Sequence, residues 1–335
     1  MEIKILNSFS DELQSDWDAL LQTSSARVPF LKYGYLKLWW QSMGGGEWDS
    51  GEPYIILGYE QQRLVGIAPF FKTRSNGKNI LAFLGSKEIS DYLDLIAASK
   101  HYREFFNAVF DHLTNDAPEM WDQITLTNVI ESSPMLEILR ENHTPENISI
   151  HVEKDLPAPY LTLPNNWEQY LESIEKKQRH EIRRKIRRLE QEAGSYRFFF
   201  MENDIEKYGA EFLALMGKDP VKKDFLTPDM AAHMQNLLSW SFQEGILKLC
   251  FLEINGSLSA GYFCFDDQKT IYIYNSGFHN EAQYFSPGWV LLSYLIQWAI
   301  QNSHTKIDFM RGDETYKYRF GAIDSFVYMV NLTKK

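Results

Sequence analysis

The sequence contains very little cysteine. Its 335 residues include only Cys250 and Cys264, so no disulfide framework supports the fold. Both cysteines lie in segments whose pattern predicts neighbouring strands, and we expect them to be small buried hydrophobic residues rather than catalytic thiols. No Cys and His spacing typical of a metal site occurs. The sequence therefore predicts a protein without a bound metal.

Long apolar runs and an excess of positive charge are also missing. The most apolar stretch, 289–300, is short and is interrupted by Ser293 and Gln297, so we expect no transmembrane helix. The N-terminus lacks the pattern of a signal peptide. Lys and Arg total 34 against 45 Asp and Glu, a formal charge of −11, which argues against binding DNA through its phosphates. These features predict a soluble, cytoplasmic protein.

The two halves of the chain show the same order of predicted elements. Each half reads as strand, helix, helix, hairpin, strand, helix and strand, and the hairpin of the second half turns at Asn255-Gly256. The length suits two cores rather than one. We interpret the chain as two copies of one α+β unit, 1–155 and 160–335, joined by a Pro-rich segment.

A long basic helix is predicted over 166–193, at the start of the second copy. Asn166 and Gln169 form the pattern of a capping box. One narrow face of the helix is apolar, and eight cations with a single acid occupy the rest: Lys176, Lys177, Arg179, Arg183, Arg184, Lys185, Arg187 and Arg188. This surface is either a solvated helix face or the wall of a pocket for an anionic ligand.

The sharpest functional signal follows the predicted strand 270–275. The chain there reads Gln283-Tyr284-Phe285-Ser286-Pro287-Gly288 and enters a helix at Trp289. A loop that turns into a helix presents unpaired backbone N–H groups and the positive end of the helix dipole. The arrangement therefore suits a phosphate group.

A second signal lies at 308–322, where acids, bases and phenols follow a predicted strand. One interpretation is a surface loop whose ion pairs neutralise one another. The other interpretation is the rim of an active site with its own base and acid.

These motifs together resemble a known family. Gln283, Ser286 and Gly288 fall on the three defining positions of the acyl-coenzyme-A signature of the GNAT acyltransferases, with Ser286 in place of the first glycine. Most of the chain resembles the tandem-GNAT acetyltransferases of the bacterial cellulose-biosynthesis family, through the stretches 91–94, 182–190, 274–278, 286–288 and 311–322. The same architecture is similar to that of the Fem peptidyltransferases.

The resemblance implies two tandem GNAT-like domains, each a mixed, mainly antiparallel sheet flanked by helices. It implies transfer of an acetyl or other acyl group from coenzyme A to an amine or hydroxyl of a small-molecule or glycan acceptor, in exopolysaccharide or cell-envelope synthesis. The implied donor contacts are Tyr274, Asn275, Gln283, Ser286, Pro287, Gly288 and Trp289. The implied acceptor contacts are Asp91, Tyr92, Asp94, Arg183, Arg187 and Arg311.

Four residues of the 308–322 segment are candidates for catalysis: Asp313, Glu314, Tyr316 and Lys317. A carboxylate takes the proton that the attacking acceptor loses, and a phenol can protonate the departing thiolate. Arg311 and Lys317 are expected to hold a phosphate or an anionic acceptor. We expect the second copy alone to bind the donor, because the corresponding segment of the first copy, 97–102, contains no glycine.

Two alternatives remain open. In the first, the donor is aminoacyl-tRNA, held by the basic helix, as the similarity to the Fem enzymes implies. The net charge and the lack of an inserted helical arm argue against tRNA. Alternatively, the chain is a non-catalytic module that binds a glycan or a protein.

Overall fold

A computed structural model of the protein describes residues 1–85, 88–141 and 145–335. The chain forms two compact units. The first unit consists of Met1–Leu156 with Phe326–Lys335, and the second consists of Pro157–Ser325.

The first unit is a mixed sheet flanked by helices. Its elements are β1 (Glu2–Leu6), α1 (Gln14–Leu21), α2 (Tyr33–Gln41), the single turn α3 (Met43–Gly46), β2 (Glu52–Glu60), β3 (Arg63–Ser75), β4 (Lys78–Phe83), β5 (Ile96–Ala97), α4 (Ser99–Asp111), β6 (Gln123–Ile130), α5 (Pro134–Glu141) and β7 (Ile148–Pro157). Strands β1, β2, β3 and β4 are antiparallel neighbours, whereas β4 and β6 pair in parallel.

The second unit repeats this plan. Its elements are β8 (Tyr160–Thr162), α6 (Trp167–Ser173), α7 (Lys176–Glu192), β9 (Tyr196–Phe200), α8 (Ile205–Met216), α9 (Pro220–Phe225), α10 (Pro228–Gln243), β10 (Leu247–Ile254), β11 (Ser257–Asp267), β12 (Thr270–Phe278), α11 (Pro287–Gln301), β13 (Lys306–Asp308) and α12 (Thr315–Arg319). The strand order is β8-β13-β12-β11-β10-β9. Here β12 and β13 form the parallel pair, as β4 and β6 do in the first unit, so the predicted duplication of an α+β unit is confirmed.

The last strand of the chain, β14 (Phe326–Lys334), belongs to the sheet of the first unit, where it pairs antiparallel with β6. The predicted boundary of the second domain at residue 335 is therefore wrong. In the second unit, the equivalent position beside β13 is filled by β8. Val327, Val330 and Leu332 are buried on β14. This partnership depends on contacts between residues some 200 positions apart, which local patterns do not report.

The predicted helix over 166–193 is two helices, α6 and α7. Asn166 caps α6 as predicted, because its side chain accepts a hydrogen bond from the backbone N–H of Gln169 at 2.9 Å. The chain then becomes extended at Ile174, with φ −95° and ψ 160°. The Ile174 side chain is buried so close to Gly321 that a Cβ there would lie 2.7 Å from its Cγ2. Burial of this one side chain accompanies the break.

Helix α11 lies at the centre of the second core. Nine of its residues are buried: Pro287, Val290, Leu291, Leu292, Ser293, Leu295, Ile296, Ala299 and Ile300. Because burial of each Val, Leu or Ile side chain stabilises a core by roughly 1.5–3 kcal/mol, the packing of these residues fixes the position of the helix and of its N-terminus. Cys250 and Cys264 are fully buried in the second unit as free thiols, which confirms their predicted packing role.

In the described part of the chain, no helix is long and apolar enough to span a bilayer. No group of three or more His, Cys, Asp or Glu side chains there is placed to hold a metal ion.

Candidate functional site

The parallel pair in the second unit is short, so β12 has an open edge. Pairing with β13 covers only three residues, Thr270, Ile271 and Tyr272. Strand β12 continues to Phe278, paired with β11, while the chain after β13 turns away at Met310, which has a φ of +63°. Within the described residues, no strand pairs with the second half of this edge. Part of this edge is satisfied within the protein, because the Lys222 ammonium donates to the carbonyl of Ser276 at 2.6 Å and the N–H of Ser276 donates to the side chain of Asn275 at 2.8 Å.

The N-terminus of α11 follows β12 after a short 3-10 helix, Asn280–Phe285. Ser286 adopts the left-handed conformation, with φ 51° and ψ 57°, and Pro287 begins the helix. The first helical hydrogen bond runs from the N–H of Val290 to the carbonyl of Ser286 at 3.1 Å. Helix geometry leaves the N–H groups of Gly288 and Trp289 without an intrahelical acceptor. The predicted helix N-terminus is thus confirmed.

Two cations of α7 lie against this turn. The Lys185 ammonium donates a hydrogen bond to the Ser286 hydroxyl at 2.6 Å and lies 5.1 Å from the centre of the Trp289 ring. The Arg188 guanidinium donates to the carbonyl of Tyr284 at 3.0 Å. Burial lowers the pKa of Lys185, and the nearby arginines lower it further. This concentration of positive charge beside a helix N-terminus favours an anion.

The sequence analysis selected Arg183 and Arg187 from the basic helix and missed Lys185. Lys185 is three residues after Ile182 and four residues before Leu189. Since an α-helix advances about 100° per residue, it lies close to the buried stripe that these two residues form. Arg183 and Arg187 lie on the opposite flank. Arg183 pairs with Glu168 at 2.7 Å, and both arginines are exposed. The spacing of Lys185 from the two apolar residues was the available signal.

A cavity of about 370 Å³ lies between the turn and the sheet of the second unit. Its walls are Lys185, Tyr262, Phe278, His279, Gln283, Ser286, Pro287, Gly288, Trp289, Leu292, Tyr316 and Phe320. Five of the seven predicted donor contacts and one predicted catalytic residue, Tyr316, therefore meet in one place. Tyr262 and Tyr316 supply two phenols. Burial raises the pKa of both, so each phenol is protonated at neutral pH.

Two predicted donor contacts are not among the residues lining this cavity. The ring of Tyr274 packs against those of Phe263 and Phe265, with centroids 5.1 and 5.2 Å away. The Asn275 side chain accepts a hydrogen bond from the Lys222 ammonium at 3.0 Å. Both residues support β12 instead of facing the cavity.

Gly288 has a packing role besides its position in the donor motif. A Cβ on Gly288 would lie 2.4 Å from Cε1 of Phe278. The ring of Phe278 packs directly against the Cα of Gly288. Gly288 therefore allows the ring of Phe278 to pack on the helix.

Lys317 holds the loop that precedes α12. Its side chain is 2% exposed, and its ammonium donates to the carbonyls of Met310, Arg311 and Gly312 at 3.1, 2.8 and 3.0 Å. It also pairs with the Glu314 carboxylate at 2.9 Å. Because the protein itself uses these donors, Lys317 is a positioning residue, which corrects its predicted contact with a phosphate or acceptor.

The other charged candidates of this loop lie at the surface. Asp313 and Glu314 are exposed, and Arg311 is half-buried. Gly312 has a φ of +109°, and a Cβ there would lie 2.5 Å from the Glu314 carboxylate. The loop is therefore built around the pair of Glu314 and Lys317. The roles of Asp313, Glu314 and Arg311 stay predictions.

In the first unit, the segment around Leu93 occupies the gap between the two parallel strands, a gap that no described strand fills in the second unit. After the short parallel pairing of β4 with β6, Leu93 bridges in parallel to Val129, and its N–H donates to the carbonyl of Asn128 at 2.8 Å. Asp91 and Tyr92 are buried in the same segment. Their predicted contact with an acceptor is not supported by this position.

Asp94 is fully buried in the first unit. Its carboxylate accepts hydrogen bonds from the hydroxyl of Tyr102 at 2.5 Å and from the N–H of Leu95 at 2.7 Å. The predicted binding of an acceptor hydroxyl by Asp94 is therefore wrong. Asp94 anchors the segment around Leu93 to α4 through its hydrogen bond with Tyr102.

We expect Asp94→Asn to stabilise the protein at alkaline pH. Burial raises the pKa of Asp94 to about 7, above the unfolded value of about 4. The stabilising contribution of this group is complete below pH 4 and is lost as the pH rises through 7. The advantage of the variant over the wild type should be at least ~1 kcal/mol larger at pH 9 than at pH 4, as measured by urea unfolding. The exposed Asp111→Asn is the control, and an equal gain at both pH values would contradict the assignment.

Comparisons with known proteins agree with this architecture. Residues 176–318 match the family model of the acetyltransferase (GNAT) domain. No curated protein matches the sequence. The solved structure of FemX covers 98% of this chain and 97% of its own, with a TM-score of 0.67 and 11% identity.

Two more solved structures share the fold. A conserved protein of unknown function from Bacteroides thetaiotaomicron VPI-5482 covers 99% of this chain and all of its own, with a TM-score of 0.63 and 13% identity. L-PGS from Bacillus licheniformis covers 94% of this chain and 90% of its own, with a TM-score of 0.56 and 10% identity. At such identities the likeness shows the fold alone. The protein is thus an α+β chain of two units whose fold is similar to that of these structures, and residues 176–318 of its second unit match the model of the GNAT acetyltransferase domain.

Proposed function

We propose that the second unit transfers an acyl group from acetyl-coenzyme A, or a related thioester, to an amine or hydroxyl of an acceptor. The observation that carries the proposal is the convergence of Gln283, Ser286, Gly288, Lys185 and Tyr316 on one cavity at the N-terminus of α11. The GNAT match over this part of the chain supports the same chemistry.

The phosphates of the donor are assigned to the start of α11. The N–H groups of Gly288 and Trp289 and the ammonium of Lys185 provide donors for an anion. A charge-assisted hydrogen bond of this kind is roughly twice as strong as a neutral one. The cation Arg188, on the same turn, adds to the positive potential.

The thioester carbonyl is assigned to the side of β12 where strand pairing with β13 has ended, after Tyr272. Polarisation by backbone N–H groups stabilises the negative charge that develops on the carbonyl oxygen as the acceptor attacks. The acceptor nitrogen or oxygen forms a bond to this carbon and the C–S bond breaks. The acceptor proton passes to a carboxylate, for which Asp313 and Glu314 are the candidates, and the phenol of Tyr316 is placed in the cavity to protonate the thiolate.

The acceptor is proposed to be a small molecule or a glycan. The sequence resemblance to the cellulose-biosynthesis family supports a glycan, and with it a role in exopolysaccharide or cell-envelope synthesis. A second candidate function is an aminoacyl-tRNA-dependent transfer. It is favoured by the exposed cations Lys176, Lys177, Arg183 and Arg187 on α7.

We expect calorimetry to give one acetyl-coenzyme A site per chain. The first unit lacks an open strand edge because Leu93 bridges to Val129 there. Acetyl-coenzyme A at 100 times its Kd should stabilise the protein by about 2.7 kcal/mol in thermal unfolding. Two equivalent sites would contradict the assignment to the second unit. If acetyl-coenzyme A does not bind but an aminoacyl-tRNA does, the second candidate function is the correct one.

A further inference from the structure

The first unit contains a groove of about 750 Å³ on one face of its sheet. Strands β3, β4 and β6 form its floor, and alternate residues along each strand face it. On β6, Thr125 and Thr127 line the groove, while their neighbours Ile124 and Leu126 are buried in the core. The groove is therefore on the face of the sheet opposite to this core.

The floor of the groove is made of short side chains. Thr73, Ala82 and Thr125 contribute to it, and all three are partly exposed.

One wall of the groove is an aromatic cluster. The half-buried Trp48 lines the groove and stacks on Trp40, with ring centroids 4.2 Å apart and planes at 22°. Phe71 contacts it at 5.7 Å. Among the described residues, the buried indole N–H of Trp48 has no hydrogen-bond acceptor. The exposed part of this flat ring offers an apolar surface that suits the C–H face of a ligand.

The polar groups of the groove are mostly neutral. Gln123 donates to the hydroxyl of Thr125 at 2.9 Å, and the hydroxyl of Thr73 donates to the carbonyl of Ser50 at 2.7 Å. The charged lining residues are two acids and two bases, Glu47, Asp49, Arg74 and Lys78. Burial raises the pKa of Glu47 to about 7, so the site has only a small net charge at neutral pH. This balance favours an uncharged polar ligand.

We propose that this groove binds a neutral saccharide of one or two rings, stacked on Trp48 and hydrogen-bonded by Gln123 and Thr125. The volume lies within the range of small-molecule sites, roughly 300–1,000 Å³. All lining residues belong to the first unit, whereas the acyl-donor cavity is lined by the second. The groove is therefore a different site from the acyl-donor cavity.

The test uses the full chain and four neutral disaccharides, which are cellobiose, maltose, lactose and N,N′-diacetylchitobiose. Saturation-transfer NMR should detect binding of at least one of them, and calorimetry should give its Kd. We expect Trp48→Ala to weaken this binding at least tenfold and Thr125→Val, which keeps the side-chain volume, to weaken it threefold or more. Thr162→Val, an exposed strand position in the second unit, should leave it unchanged.

Three results would overturn the proposal. They are the absence of binding by all four sugars at about 10 mM, equal binding by the wild type and the groove variants, and tighter binding of the anionic sugar glucuronate. If Trp48→Ala does not fold, Thr125→Val and Gln123→Leu decide. Titration of the same samples with acetyl-coenzyme A separates failure of this site from failure of the proposed transferase.

Discussion

Replacing Lys185 by methionine is expected to weaken acetyl-coenzyme A binding between tenfold and a hundredfold. The ammonium lies at the start of α11, 2.6 Å from the Ser286 hydroxyl. Loss of a hydrogen bond to a charged group costs about 1.5–3 kcal/mol, which corresponds to this change in Kd. Methionine keeps most of the side-chain length and can pack against Trp289, so the loss reports the charge. Calorimetric titration with acetyl-coenzyme A measures it directly.

The matched control for this experiment is Lys177→Met. Lys177 is exposed on the same helix, so the control removes the same charge from the chain without touching the cavity. Lys185→Arg should retain part of the affinity because it keeps the positive charge. The affinity of the wild type should fall with rising salt more steeply than that of Lys185→Met. If the two methionine variants bind acetyl-coenzyme A equally well, the phosphates bind elsewhere.

Replacing Lys317 by methionine is expected to destabilise the protein by about 3 kcal/mol or more. The buried ammonium donates to the carbonyls of Met310, Arg311 and Gly312, and methionine would leave these groups without their donor. The cost of leaving buried polar groups unsatisfied is larger than the net gain from forming such bonds. The loop before α12, which has positive φ at Met310 and Gly312, loses the group that holds it.

The measurement is urea unfolding of the full chain at pH 7, with Lys218→Met as the control. Lys218 is exposed, and its loss should change the free energy of unfolding by no more than ~0.5 kcal/mol. A Lys317→Met variant as stable as this control would show that the carbonyl contacts contribute little. A variant of unchanged stability but without activity would return Lys317 to a direct catalytic role.

The features that the sequence predicts correctly depend on residues that are close to one another in the chain. The turn at Ser286 and the start of α11 at Pro287 were readable because a small residue, a proline and an apolar run are adjacent in the chain. The cap at Asn166 also depends on a contact three residues away. The burial of Cys250 and Cys264 follows from the apolar pattern of their strands.

Tertiary structure decided which cation of the basic helix contacts the turn at Ser286. Eight cations on one basic segment look alike in composition, and only the packing of α7 distinguishes Lys185 from Arg183 and Arg187. The same holds for Asp94 and Lys317, whose charges suggested ligand contacts. Both are buried and bonded within the protein, because a charged side chain that leaves water needs internal partners.

The sequence by itself determined the repeated order of strands and helices, the α+β class and the motif at the start of α11. Tertiary structure decided that β14 returns to the first sheet, that the basic segment breaks at Ile174, and that the strand gap is filled in one unit and open in the other. The reason is physical. Periodicity and capping depend on residues a few positions apart, whereas strand partners and buried ion contacts depend on residues that meet only after folding.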